Sequence, residues 1–174
     1  MRASAIPRAR DLREAVVALE RAAGRISSVH LASGEKLAAD LTVLALGSYS
    51  PPLLRPLGVR LPVYPAKGYS VTLKVPEAAV APTVSLTDDG HKIVMSRFGQ
   101  RLRVAGTAEF NGYDTSLNPA RCAALLRRIG ELFPGLAGAG DAEYWAGLRP
   151  ATPGNVPLIG PLSGPGLDPA PYDY

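Results

Sequence analysis

The sequence is poor in the side chains that build disulfides and metal centres. Its 174 residues include one cysteine, Cys122, and two histidines, His30 and His91. A single cysteine forms no internal disulfide, which favours a reducing compartment, and the three residues show no metal-site spacing. P-loop and GxSxG motifs are absent as well, so the sequence gives no support for nucleotide hydrolysis or serine-hydrolase chemistry.

Long apolar runs and blocks of like charge are missing too. No segment approaches the roughly 18 apolar residues of a membrane helix, and the charged first ten residues are not followed by the apolar stretch of a secretory signal. The 19 basic and 15 acidic residues leave a net charge of +4. Because the arginines are scattered, no nucleic-acid partner is indicated, although a weakly basic surface suits an anionic ligand or peripheral membrane contact.

The remaining composition is that of a folded chain. Hydrophobic residues make up 47 % of the sequence, which is enough for a core in one domain or two small pieces. Residues 11–24 fit two structures. One is a helix capped by Asp11 and Glu14 and stopped at Gly24, and the other is a strand, because the apolar positions show no clear period. Strand, turn and strand are indicated for residues 26–37.

A compact apolar run, residues 41–47, ends at a glycine. Such a run is typical of a strand buried on both faces of a parallel sheet, and ligands in open α/β sheets bind beyond the carboxyl ends of the strands. Gly47 permits close approach of a ligand to the backbone, and Ser48 offers an amide and a hydroxyl. The alternative is an ordinary strand-to-helix turn, and a short helical turn is predicted for residues 50–57.

The central part of the chain predicts an antiparallel meander and one helix. Residues 69–75 alternate apolar and polar side chains, as in a half-exposed strand, and an Asp-Asp-Gly hairpin signal follows further along. Asn118 suits an N-cap and Pro119 the first helical position, and Cys122 falls on the apolar face of this helix. The predicted elements are strands at 69–75, 83–87, 92–98 and 101–107 and a helix from 119 to 133.

Arg149 stands where the backbone has little freedom. Pro150 disfavours helical geometry for the residue before it, and Gly147 permits a close approach or an unusual dihedral angle. A rigidly held guanidinium matches the planar fork of a carboxylate. A surface ion pair on an edge strand is the alternative interpretation.

Four stretches, in this order and spacing, resemble the D-amino acid dehydrogenase branch of the FAD-dependent D-amino acid oxidase family. The resemblance covers about residues 15–166, which is most of this chain but under half of a complete family member. The last stretch carries a Gly-Leu-Arg-Pro and a Pro-Leu-Ile-Gly motif. The four stretches are Val43–Ser50, Pro62–Ser70, Ser116–Pro119 and Gly147–Gly160.

The resemblance implies an α+β fold, part of an FAD-binding α/β domain plus a substrate domain with a mostly antiparallel sheet and one covering helix. Residues 1–50 are then a remnant of the FAD-binding domain, and residues 51–145 form the substrate-domain sheet and helix. Residues 146–174 form a return strand toward the FAD domain and an irregular tail. One sheet face is expected to cover the flavin, and the family pattern favours strand over helix for residues 15–20.

For function, the resemblance implies oxidative deamination of D-amino acids to 2-oxo acids by hydride transfer to FAD. Arg149 is expected to bind the substrate carboxylate, with Lys67 and Tyr69 as further substrate contacts and no catalytic side chain or metal. An acceptor such as a quinone takes the electrons, and the expected location is cytoplasmic, at or near the inner face of the membrane. The implied FAD contacts are Ala45, Leu46, Gly47, Ser48, Gly68 and Pro150.

The chain also departs from the family pattern. It lacks the strand–GxGxxG–helix unit that holds the FAD pyrophosphate and the glycine-rich loop after residue 160. We therefore expect a truncated or excised middle piece that does not hold FAD tightly by itself. The alternatives are a catalytically inert fragment or binding module, and a related oxidoreductase of glycine, sarcosine or another secondary amine.

Overall fold

The computed structural model describes residues 11–77, 80–136 and 141–162. These residues form two compact units. One unit comprises the described residues up to Leu61 together with those from Leu158, and the other is Pro62–Pro157. Each unit contains an antiparallel sheet, and helices are few. The chain is therefore α+β, as its sequence predicts.

The first unit contains a three-stranded antiparallel sheet of order β1-β2-β3. Its strands are β1 (Val16–Ala22), β2 (Arg25–Leu31) and β3 (Lys36–Ala38). The tight turn between β1 and β2 places Gly24 at φ 76°, in the left-handed region that glycine adopts without a steric cost. The strand prediction for residues 15–20 is confirmed, because cross-strand pairing outweighs the local helix-capping signals.

A short helix, α1 (Ser50–Leu54), completes the first unit, between single 3-10 turns at Gly47–Tyr49 and Arg55–Leu57. The predicted helical turn is thus present. Leu54 is fully buried and anchors a small apolar cluster. The other members of the cluster are Leu19, Ile26, Leu44, Leu57, Val59, Leu61 and Leu162.

The predicted buried strand at residues 41–47 is wrong. Residues 41–46 have no strand structure, and Leu41 and Val43 are 69 % and 79 % exposed. A strand requires a neighbour that accepts and donates its backbone hydrogen bonds, and no described residue pairs with this segment. The apolar run therefore lies beside the sheet of its unit without joining it.

The second unit is built on a five-stranded antiparallel sheet of order β5-β6-β7-β4-β8. The predicted hairpin and the turn at residues 99–100 are confirmed, since β5 pairs with β6 and β6 with β7. The strands are β4 (Tyr64–Lys74), β5 (Leu86–Asp88), β6 (Ile93–Phe98), β7 (Arg101–Glu109) and β8 (Glu143–Ala151).

The strand β4 is more deeply buried than predicted. Its polar residues Ser70 and Thr72 are only 5 % and 9 % exposed, so the half-exposed interpretation is wrong. The reason is that β4 lies between β7 and β8, whose large side chains shield it. Arg103 of β7 donates from Nε to Thr72 Oγ1 at 3.4 Å, and Trp145 of β8 is paired with Ser70.

A helix, α2 (Pro119–Leu132), covers one face of this sheet. The predicted N-cap is confirmed, because Asn118 Oδ1 accepts the amide hydrogen of Ala120 at 3.0 Å. Buried Cys122, Leu125 and Ile129 pack into the core of the unit. We call this side of the sheet the helix face, to which Lys67, Tyr69, Val71 and Leu73 of β4 belong. The opposite side, with Tyr64, Ala66, Gly68 and Ser70, is the distal face.

Candidate functional site

The register between β4 and β8 determines which candidate residues share a face. Ala66 pairs with Arg149, Gly68 with Gly147, and Ser70 with Trp145. Directly paired residues of an antiparallel sheet point to the same face, whereas successive residues of one strand alternate. Arg149 and Gly68 therefore lie on the distal face, and Lys67 and Tyr69 lie on the helix face. The predicted substrate contacts are not brought together on one side.

Arg149 is exposed on β8, an edge strand of the sheet. No described residue forms an ion pair or hydrogen bond with it, so the alternative of a surface ion pair has no counterpart in the described structure. Its direct cross-strand neighbour is Ala66, which leaves space above the backbone because its side chain is one methyl group. None of the described residues occupies the guanidinium, whose planar fork matches a carboxylate.

Lys67 and Tyr69 are enclosed by partners from the chain itself. Lys67 is 1 % exposed, and its Nζ lies 3.2 Å from Glu109 Oε2 and 3.6 Å from Asp114 Oδ2. The same ammonium donates to the Ser116 carbonyl oxygen at 3.0 Å. Tyr69 is 2 % exposed and donates its hydroxyl hydrogen to Glu109. Neither side chain presents a polar group to an outside ligand in this arrangement.

These contacts fix the charges of the group. Burial opposes the charge on Lys67, but hydrogen bonds with Tyr69 and Glu109 and the nearby carboxylates outweigh it and raise the pKa of Lys67. The Tyr69 hydroxyl and Lys67 lower the pKa of Glu109, and hydrogen bonds from Ser116 lower the pKa of Asp114. Lys67 is therefore positively charged at neutral pH between two carboxylates. Such an arrangement has a structural role.

The distal face carries a shallow depression of about 470 Å³. Ser70 is one of its lining residues, and the Ser70 hydroxyl is buried and has no hydrogen-bond partner within the described structure. Buried polar groups are almost always satisfied, so an orphaned hydroxyl marks a place where an external partner is expected. Several of the depression's other lining residues are small or carry a planar group. They include Gly68, Ala105, Ala108, Arg103 and Trp145.

A strained bulge borders the same depression. Gly68 pairs with Ala108 and Tyr69 with Gly106, so Thr107 is the extra residue of β7. Its φ of 58° lies in the left-handed region, where a β-branched residue is a genuine outlier. Bulges and strained backbones concentrate at functional sites. Sequence reasoning missed this feature, although the Ala-Gly-Thr-Ala run in a strand was the available signal.

The indole of Trp145 lies close to the backbone of Gly147. A Cβ added at Gly147 would overlap the indole ring, whereas one added at Gly68 meets nothing within 4 Å. Gly147 therefore permits close approach, as predicted from its place before Arg149, and the approaching group is an aromatic ring. This part of the distal face accepts a planar ring, and Trp145 itself remains 59 % exposed.

The other predicted cofactor contacts are in different elements. Ala45, Leu46, Gly47 and Ser48 belong to the first unit, where Gly47 has a φ of 54° and Ser48 is 2 % exposed. Pro150 and Gly68 belong to the second unit, on β8 and β4, and since Pro150 pairs with Pro65, Pro150 and Gly68 lie on opposite faces of the sheet. Within the described residues there is no group of three metal-ligating side chains, and no described helix is both long and apolar enough to span a bilayer.

Comparison with known proteins places these features in a family. The family described as FAD dependent oxidoreductase, DAO, matches residues 9–168. The chain belongs to the DAO family. The D-amino acid dehydrogenase of Dechloromonas aromatica is 67 % identical over 126 residues, which are 72 % of this chain and 30 % of that protein. The D-amino acid dehydrogenase of Xanthobacter autotrophicus is 49 % identical over 146 residues, 84 % of this chain and 35 % of that protein.

Two solved structures share the fold of this chain. Iminodiacetate oxidase from Chelativorans is 26 % identical, with a TM-score of 0.68 over 88 % of this chain and 41 % of that enzyme. Glycine oxidase from Bacillus cereus gives a TM-score of 0.67 at 22 % identity, over 85 % of this chain and 40 % of that enzyme. This DAO chain spans about a third of the length of the curated relatives above.

The DAO family is FAD-dependent, and the distal face fits part of such a cofactor. The orphaned Ser70 hydroxyl can donate to a heterocyclic acceptor. The open space lies over Gly68, where an added Cβ would meet nothing within 4 Å, whereas the Trp145 indole fills the space over Gly147. The fit concerns a planar ring system only, because the described residues contain no glycine-rich turn at a helix N-terminus for a pyrophosphate.

Proposed function

We propose that this chain is the substrate-covering part of an FAD-dependent D-amino acid dehydrogenase. One observation carries the proposal, the exposed Arg149 guanidinium without a partner among the described residues, on the face that also bears the depression. The high identity to relatives named D-amino acid dehydrogenase supports the choice of substrate class. The same Arg149 would bind the α-carboxylate bidentately, and this fixes the orientation of the α-carbon.

Bound FAD would supply the acceptor for a hydride from the substrate α-carbon. In this proposal the distal face of the sheet positions the substrate and shields it from solvent. Ser70 would donate a hydrogen bond to an acceptor on the ring system, and the open backbone at Gly68 would lie against it. The turn Ala45–Ser48 and Pro150 remain proposed FAD contacts. The buried Lys67 and Tyr69 are proposed to act on the site from behind the sheet rather than by touching substrate.

The proposal extends to the electron acceptor and the location. We propose an acceptor such as a quinone, in a protein on the cytoplasmic side that contacts the inner face of the membrane peripherally. Because the pyrophosphate-binding unit is missing from the described elements, the isolated chain is proposed to bind FAD weakly. An isolated chain that purifies yellow, with stoichiometric flavin absorbance, would contradict this last point.

A chimera tests the proposed activity directly. This chain would replace the corresponding segment of the Dechloromonas aromatica D-amino acid dehydrogenase, to which it is 67 % identical over 126 residues. The chimera is expected to retain flavin absorbance and to reduce an artificial quinone when D-amino acids are added. Turnover of glycine or sarcosine alone would instead favour the related amine oxidoreductases. A folded, flavin-loaded chimera that oxidises no D-amino acid would refute the proposal and leave the chain as an inert piece.

A further inference from the structure

One aromatic ring, that of Tyr64, neighbours Arg149 diagonally on the distal face, and a second ring, that of Phe110, packs against Tyr64. Tyr64 is paired with Ala151, and Arg149 with Ala66, so Tyr64 and Arg149 are diagonal neighbours on one side of the sheet. Diagonal neighbours are roughly 7–8 Å apart, within reach of long side chains. The ring of Phe110, directly after β7, lies 5.8 Å from that of Tyr64 between centroids, with an interplanar angle of 57°. We call this pair the aromatic wall.

The aromatic wall is exposed but held in place. Tyr64 and Phe110 are 48 % and 70 % exposed. The Tyr64 hydroxyl accepts the amide hydrogen of Gly112 at 3.3 Å, which ties the wall to the loop that follows β7. Tilted ring pairs of this kind contribute attraction beyond the area they bury. The two packed rings and the nearby Arg149 guanidinium, which has no partner among the described residues, form an amphipathic surface with a cation at one end and apolar area at the other.

The loop after Phe110 is fixed from the helix face. Lys67 ion-pairs with Glu109, just before Phe110, and donates to the carbonyl of Ser116 at the far end of the loop. Asp114, inside the loop, accepts from the Ser116 amide at 2.8 Å and lies 3.6 Å from Lys67 Nζ. Lys67 therefore holds residues on both sides of the loop. A buried side chain on one face thereby positions an exposed ring on the other.

We propose that the aromatic wall receives the side chain of the amino acid whose carboxylate Arg149 binds. The substrates are then D-amino acids with aromatic or large apolar side chains, and Lys67 is a positioning residue for the wall. The inference rests on the proposed function. Its chemical basis is the pairing of one carboxylate-binding cation with adjacent apolar rings, a pattern that a small or strongly polar side chain would leave unused.

The binding of two carboxylates to the chain itself tests the role of the aromatic wall. Acetate and phenylacetate share the anion that Arg149 binds, and only phenylacetate carries a ring. Titrations of the isotope-labelled chain, followed by NMR shifts, are expected to give a phenylacetate Kd at least tenfold below that of acetate. Phe110→Ala is expected to bring the ratio of the two Kd values close to one. Phe98→Ala, at another ring that is 62 % exposed, is the matched control and is expected to keep the ratio.

The positioning role of Lys67 has its own readout. Lys67→Met is expected to lower the phenylacetate preference at least threefold, and Lys67→Arg is expected to restore most of it. A merely stabilising lysine would change the unfolding midpoint without changing the preference. Equal Kd values for acetate and phenylacetate in the unsubstituted chain would overturn the inference.

The chimera supplies a second measurement that does not depend on the isolated chain. Phe110→Ala is expected to lower the ratio of kcat/KM for D-phenylalanine to that for D-alanine at least tenfold. An unchanged ratio, with D-alanine still oxidised, would refute the role of the aromatic wall in substrate binding and would not affect the proposed function. A chimera without activity on any D-amino acid would refute both the role of the aromatic wall and the proposed function.

Discussion

Arg149 lies directly across the β4–β8 pair from Ala66, on the opposite side of the sheet from Lys67. In the chimera, Arg149→Lys is expected to raise the KM for D-amino acids at least tenfold, a loss of about 1.4 kcal/mol. Lysine keeps the charge but loses the planar fork that pairs with a carboxylate bidentately. Arg127→Lys, on the exposed side of α2, is the matched control. Steady-state kinetics check this, and equal KM values for the two variants would refute the role of Arg149.

Gly147→Ala is expected to displace the indole of Trp145, because the new methyl group would occupy the position of the ring. Trp145 is the sole tryptophan, so intrinsic fluorescence reports its surroundings without interference. We expect a red-shifted emission maximum and stronger quenching by iodide. Gly68→Ala meets nothing within 4 Å and is expected to leave the spectrum unchanged. Identical spectra for all three proteins would argue against the close approach of ring and backbone.

The sheet of the first unit is expected to lose stability in acid through Glu20. Hydrogen bonds from His30 and Ser28 and the Lys36 ammonium lower the pKa of Glu20 from 4.5 to about 2. A carboxyl whose pKa is lower in the folded chain stabilises the fold above the unfolded pKa and loses that contribution as the pH falls. Glu20→Gln should therefore be less stable than the parent at pH 5, and the gap should close toward pH 2. Urea midpoints measure it, and a pH-independent gap contradicts the prediction.

Leu125→Ala is expected to destabilise the second unit by about 2–5 kcal/mol. Leu125 is fully buried between α2 and the sheet, so truncation removes apolar contact and leaves a cavity. Leu132→Ala, at a residue 38 % exposed on the same helix, should cost about 0.5 kcal/mol or less. Chemical denaturation followed by circular dichroism compares the two. Similar costs would mean that the helix is not packed as described.

Local sequence signals were sufficient to predict much of the secondary structure of the second unit. Asn118 and Pro119 predict the start of α2, and the Asp-Asp-Gly turn predicts the β5–β6 hairpin, because caps and turns depend on a few adjacent residues. The strand predicted at residues 41–47 failed for the opposite reason. A strand depends on a partner elsewhere in the chain, and apolar composition alone does not supply one.

The candidate site likewise combines features that the local sequence predicts with features that depend on distant parts of the chain. The guanidinium at Arg149 and the close approach at Gly147 follow from their neighbours in sequence. The face occupied by Lys67 and Tyr69 does not, since it depends on the register of β4 against β8, and a shift of one residue exchanges the two faces. The strained Thr107 likewise depends on a bulge between two long strands, which no single stretch of sequence specifies.

The position of β4 has a consequence for biosynthesis. β4 is hydrogen-bonded to β7 on one side and to β8 on the other, yet β8 is the last strand of this sheet to leave the ribosome. The edge of β4 that pairs with β8 therefore remains unpaired while β5, β6, β7 and α2 are translated. Unpaired edges of this kind can mispair with other chains, so a translational pause between α2 and β8 would prolong the interval in which this edge is exposed.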